Sequence, residues 1–223
     1  MAHSGINIIF EGANFARLMG GLWVTIRVAL ISIAIGGVLG ILLGVLRTFH
    51  NRLLRFVLRL YLEFFRIIPT VALLFLFYYI LPKDMHLNLP AEEVAVIVFT
   101  LWMAAEASDI VRGALESVPQ HQIESGLAIG LSRNQLYRFV LVPQSIKLMM
   151  PALINLVTRI IKTTSLLLMI SVLDVINVGQ QIIEANQQQY PQGAFWIYGA
   201  IFFLYFIICY PFSLLAKRLQ RNK

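Results

Sequence analysis

The chain has 223 residues, 59% of them hydrophobic and 13% charged, with a formal net charge of +7. A soluble domain carries roughly 45–50% apolar and about 25% charged residues, so composition excludes a soluble fold and points to a multi-spanning membrane protein. The bases flank apolar runs instead of gathering in one soluble segment, which excludes a nucleic-acid binder, and the single Cys209 excludes a disulfide framework or a cysteine metal cluster.

Residues 1–15, MAHSGINIIFEGANF, have no basic opening and no small-residue cleavage site, so no cleaved signal peptide is expected. A spanning helix needs about 20 mostly apolar residues. Five runs qualify: 22–46, 54–81, 91–111, 148–173 and 195–216. In the first, Gly36, Gly40 and Gly44 recur every four residues beside Gly37, which predicts close helix contact along one face. The link after it holds Arg47, Arg52, Arg55 and Arg59 and no acid. In the second run Glu63 and Arg66 are three apart and can pair on one helix face; Tyr78 and Tyr79 suit a membrane interface. The 82–90 link has only Lys83 as a base. The third run contains Glu106, and Asp109 and Arg112 at its end repeat the ion-pair spacing.

In the fourth run Asn155, Arg159, Lys162 and Ser165 fall three to four apart and build one polar stripe. On a spanning helix such a stripe must face a cavity or a partner. The base-free stretch that follows, 174–193, reads as a solvated loop or a short helix, with Glu184 and Asn186 as candidate contacts for an outside partner. Trp196 and Tyr198 suit an interface in the fifth run, and the tail carries Lys217, Arg218, Arg221 and Lys223. Basic links face the cytoplasm, which places the N-terminus outside, the C-terminus inside and residues 118–143 in the cytoplasm.

That segment, VPQHQIESGLAIGLSRNQLYRFVLVP, is polar and punctuated by glycine. Pro119 suits a helix start, where its missing N–H costs nothing. Ile123, Leu127 and Leu131 at four-residue spacing predict one apolar stripe. Gly130 suits a left-handed helix end, and Ser132 with Gln135 matches a capping box opening a second helix. Two short helices with a glycine joint follow. Their apolar stripe would enter a partner's groove or rest on the membrane surface.

The layout resembles the EAA loop of permease subunits of binding-protein-dependent ABC importers. Its parts are Glu124-Ser125-Gly126, then Gly130, then Val140-Leu141-Val142-Pro143. Ser125 and Gly126 stand where that family has two alanines, and Val140 and Val142 where it has Ile and Leu. The stretch 61–70, YLEFFRIIPT, is similar to the second-span signature of the polar amino-acid branch (histidine, glutamine, glutamate and arginine permeases). The stretch 109–113, DIVRG, resembles that branch ahead of its EAA loop, with Asp109 for Glu. The stretch 161–166, IKTTSL, resembles its Lys-Asp-Thr-Ser-Leu segment, with Thr163 replacing Asp.

The resemblance implies an all-α membrane fold of about five transmembrane helices. It implies a single permease domain over 1–223, in a bacterial inner membrane, with 118–143 as a cytoplasmic coupling loop between the third and fourth spans. It further implies an amino-acid substrate, an extracytoplasmic solute-binding protein and a second permease subunit, identical or homologous. A dimer of ATPase subunits would bind ATP and Mg; the chain itself would be no enzyme and hold no cofactor or metal. Gln120, Ile123, Glu124, Ser125, Gly126, Leu127, Gly130 and Leu131 would meet the ATPase. Thr70, Glu106, Asn155, Arg159, Lys162, Thr163 and Ser165 would line the substrate pathway. There Lys162 would meet the substrate carboxylate or serve in a buried pair. Thr163 removes a negative charge suited to a cationic cargo; Glu106 restores it or neutralises Arg159 or Lys162. Glu63 with Arg66, and Asp109 with Arg112, would be structural ion pairs.

Two other classes compete. A transporter or channel driven by an ion gradient fits poorly, because many such folds are built from repeats and none is evident. An intramembrane enzyme fits poorly, because His3, His50, His86 and His121 are scattered. The chain has no G-x-x-x-x-G-K-[ST] motif, so any ATP hydrolysis must come from a partner.

Overall fold

The computed structural model describes residues 5–85 and 89–221, which form helices and no strand. The expectations attached to His3, His86 and Lys223 lie outside the described residues. The α-helices are α1 (Asn14–Leu46), α2 (Arg52–Ile67), α3 (Thr70–Phe75), α4 (Leu81–Met85), α5 (Ala91–Glu116), α6 (Gln120–Ala128), α7 (Arg133–Leu136), α8 (Val142–Thr163), α9 (Val175–Ala185) and α10 (Gly193–Arg221). Among the described residues four helical stretches are long and apolar enough to cross a bilayer: Asn14–Leu46, Ala91–Glu116, Arg133–Ile170 and Gly193–Arg221.

The expected second span is not one helix. Its two pieces, Arg52–Ile67 and Thr70–Lys83, are bent by 103° and make a fifth span only if counted together. The cause is Pro69. It lacks an N–H and pushes the preceding residue out of the helical region, and Ile68 is extended at φ −76°, ψ 127°. The expected first span begins eight residues earlier, at Asn14. The fourth is longer still, because Arg133–Ile170 passes through Pro143 unbroken. A π-helical turn at Tyr137–Leu141 precedes that proline, and another at Leu76–Ile80 precedes Pro82. A wider turn relieves the clash between a proline ring and the carbonyl four residues back.

The chain divides into two compact units. The first comprises Met1–Ser32, Thr70–Phe99 and Arg159–Pro211. Its core joins Ile8 and Leu18 to Val175, Val178 and Ile182 of α9 and to Ile197 and Ile201 of α10. The 174–193 stretch is therefore not a solvated loop: α9 is a short helix with an apolar face in the core. Its polar side chains bond nearby, Gln181 accepting from Arg17 at 2.9 Å and Asn186 donating to the Ile182 carbonyl at 2.8 Å. Asp174 caps α9 while fully buried, accepting from the N–H groups of Asn177 at 3.0 Å and Ile176 at 3.3 Å.

The second unit comprises Ile33–Pro69, Thr100–Thr158 and Phe212–Lys223. Here the glycine stripe of α1 lies on α5. A Cβ at Gly36 would come within 2.7 Å of the Thr100 carbonyl oxygen, one at Gly40 within 3.1 Å of that of Ala104, and one at Gly44 within 2.9 Å of that of Ser108. No side chain fits there without moving backbone. Tyr61 of α2 donates to the Leu101 carbonyl at 2.6 Å, and Leu62 and Phe65 are buried.

Gly40→Val should destabilise the fold by about 1–3 kcal/mol or more, as overpacking does, and lower the melting temperature in detergent, while Gly199→Val, at an open site, should not. Burial raises the Asp174 carboxyl from 3.8 to about 6. A carboxyl raised in the folded state stabilises less as pH climbs from about 4 to 6, and the loss is complete above the folded value. Melting temperature should fall across that window. Asp174→Asn, which keeps the cap, should flatten the profile, and Asp174→Ala should lose about 1 kcal/mol of capping at every pH.

Candidate functional site

Helix α6 opens at Gln120 after Pro119, and the chain reverses at Gly130, which sits at φ +87°. The Gly130 N–H donates to the Leu127 carbonyl at 3.0 Å and the Leu131 N–H to the Gly126 carbonyl at 3.1 Å. Such a left-handed end favours glycine because a Cβ would be strained there. Ser132 and Gln135 then form a reciprocal capping box at the start of α7. Gly126 is the buried residue of α6. A Cβ there would come within 2.6 Å of Leu136 Cδ1, so the small residue at this point lets α6 cross α7.

The outer side of this hairpin carries Gln120, Glu124 and Ser125, all exposed. The expected apolar stripe is divided. Leu127 is 49% exposed, but Ile123 and Leu131 turn half inward, and Ile123 lines a notch of about 330 Å³ with Gln120, Tyr137 and Leu141. The most exposed apolar side chain is Ile129, at 78%. The sequence hid it, because it stands outside the four-residue spacing. Beside α6, a cleft of about 740 Å³ is lined by Pro119, Gln122, Gln144, Lys147 and Leu219.

A second constellation lies between the end of α1, α2 and α5. Asp109 gathers three arginines: Arg47 at 3.2 Å, Arg66 at 2.9 Å and Arg112 at 3.1 Å. The expected pairing of Arg66 with Glu63 is corrected. The salt bridges of Arg66 run to Asp109 and, at 3.6 Å, to Glu106, because the polar face of α2 turns toward the carboxylates of α5. Arg112 also reaches Glu116 at 2.6 Å. Arg47 joins this cluster in addition to the two expected ion pairs. Its sequence signals are its place just beyond the glycine stripe and its membership of the basic link.

The third constellation is the polar face of α8. Asn155, Arg159 and Lys162 are exposed, whereas Leu156, Ile160 and Ile161 are buried. Thr163 donates to the Arg159 carbonyl at 2.8 Å and Ser165 to the Lys162 carbonyl at 2.9 Å. The helix tightens to a 3-10 form at Thr164–Ile170. Thr164 is fully buried and bonded to Tyr205 at 3.2 Å. Lys162 and Ser165 edge a groove of about 260 Å³ with Tyr198, Phe202 and Tyr205. Thr70 opens α3 and is half-buried.

Long apolar helices, a polar helix face and a built hairpin between α5 and α8 define a polytopic membrane protein. The family described as "Binding-protein-dependent transport system inner membrane component" matches residues 36–223, and the chain belongs to that family. It is 32% identical over 205 residues to the L-cystine transport system permease protein TcyB of Bacillus subtilis (strain 168), covering 92% of this chain and 86% of the relative. It is 32% identical over 218 residues to the glutamine transport system permease protein GlnP of Escherichia coli (strain K12), covering 97% and 93%. A solved amino acid ABC transporter with histidines shares the fold over the whole of both chains, with a TM-score of 0.87 at 22% identity.

Proposed function

We propose that the chain is the permease subunit of an ATP-driven importer of amino acids, in which the 118–143 hairpin couples an ATPase to substrate movement. The observation that carries this reading is the hairpin itself. Its fold is held from within by Gly126, Gly130 and the Ser132–Gln135 box, while Leu127 and Ile129 stay exposed. An internally braced hairpin that presents apolar side chains is suited to a groove on a partner. The partner is a dimer of ATPase subunits that binds ATP and Mg, since the chain has no phosphate-binding motif of its own. The chain is then not an enzyme. A second permease subunit and an extracytoplasmic binding protein complete the importer, and the basic links place the hairpin in the cytoplasm.

The amino-acid class is carried by the named relatives, which handle cystine and glutamine, and by the exposed polar face of α8. On this reading Asn155, Arg159, Lys162, Thr163 and Ser165 serve the pathway, with Thr70 and Glu106, and Lys162 meets the substrate carboxylate.

Purification from native membranes in mild detergent should recover an ATPase in stoichiometric amount. Leu127→Glu with Ile129→Glu should lower that recovery about tenfold or more, as loss of apolar anchors does, without unfolding the chain. Purification without an ATPase, with transport that continues without ATP, would sink the reading in favour of a gradient-driven transporter. Lys162→Met should leave the complex assembled but raise the KM for the amino acid by roughly tenfold, the scale of a lost charged hydrogen bond. An unchanged KM would remove Lys162 from the pathway.

A further inference from the structure

Helix α2 has three sectors. At 100° per residue, Leu62 and Phe65 face the protein and are buried. Leu53, Phe56, Val57, Leu60, Phe64 and Ile67 face out, each 40–73% exposed. Between these sectors run Arg52, Arg55, Arg59, Glu63 and Arg66. A helix of this make lies in the membrane interface with its apolar sector in the acyl region.

The charged sector opens on a cleft of about 450 Å³. Five guanidinium groups line it (Arg47, Arg55, Arg59, Arg66 and Arg112) against three carboxylates, Glu63, Asp109 and Glu116. The carboxylates do not use up the donors. Arg47 is 6% exposed, yet its Nε has no hydrogen-bond partner, and the buried Arg112 Nε has none. Arg55 spends one donor on the Phe49 carbonyl at 3.2 Å. Arg59 takes part in no ion pair among the described residues. A buried guanidinium donor left open is costly, and an acceptor-rich anion is what several such donors share well.

We propose that this cleft holds the phosphate of an anionic phospholipid whose acyl chains lie along the exposed apolar sector of α2. The charged and apolar sectors adjoin on one helix, as the headgroup and tails of a lipid adjoin, and a free phosphate uses only the first. A soluble anion is thus the poorer match. The site would tie the function of the permease to the anionic lipid around it.

The test is native mass spectrometry of the importer complex, with the full chain, from nanodiscs of phosphatidylglycerol mixed with phosphatidylcholine. The wild type should retain phosphatidylglycerol selectively. Arg59→Gln, which leaves the Asp109 ion pairs in place, should reduce that retention roughly fivefold, the effect of one arginine at an anionic surface. Arg138→Gln, on an exposed residue outside the cleft, should not. Melting curves in phosphatidylcholine alone should show both variants folded as well as the wild type. Equal retention of the two lipids, or equal retention by wild type and Arg59→Gln, would overturn the proposal. So would release of the lipid by millimolar inorganic phosphate, which would make the cleft a soluble-anion site. A Leu60→Cys chain that forms a disulfide with a second copy in the membrane would likewise overturn it, by making this face a subunit interface.

Discussion

The contact on which the second unit depends is the close approach of α1 to α5 along Gly36, Gly40 and Gly44. Lipid is as apolar as leucine, so no hydrophobic force drives two helices together within it. Small residues that allow backbones to touch supply the packing instead. The three glycines meet the carbonyls of Thr100, Ala104 and Ser108, each one turn further along α5, and this sets the register of the pair. Arg47 lies three residues beyond Gly44, and that register delivers its guanidinium to Ser108 at 3.3 Å and Asp109 at 3.2 Å. Asp109 in turn holds Arg66 and so helps to hold the polar face of α2.

A carboxylate among three guanidiniums is not a large source of stability in itself. Desolvation offsets much of the attraction, and the sharper penalty falls when one partner is removed and a charge is left buried. The value of the Asp109 cluster lies in placement. It orients α2, the first half of the 54–81 run, so that its arginines face inward beside an outward apolar sector.

The 118–143 hairpin follows a different logic. Its polar groups are satisfied locally, by the turn at Gly130 and by the capping box. One small residue, Gly126, removes the bulk that would hold α6 off Leu136. The third position of the Glu124-Ser125-Gly126 triplet thus has a steric reason in this chain. Local bonding leaves Leu127 and Ile129 free to present outward.

Much of this was legible in the sequence because lipid imposes simple rules. Length and hydropathy marked the apolar helices. Four-residue spacing marked the glycine stripe and the polar face of α8. Ser132 and Gln135 marked a cap whose bonds are local in sequence. The joint of the 118–143 hairpin was legible in Gly130, which suits a left-handed helix end. What failed depended on contacts distant in sequence. The 54–81 run reads as one span, but Pro69 breaks it, and the half before the break lies on α5, where Tyr61 donates to the Leu101 carbonyl. Arg66 had Glu63 one turn away and chose Asp109, 43 residues on, because α5 brought that carboxylate within reach. The sequence by itself therefore determined which segments are helical and which faces are polar, since both follow from periodicity and solvation. Only the tertiary structure decided which carboxylate each arginine meets and which apolar side chains of the hairpin stay exposed, since those depend on how closely helices can approach.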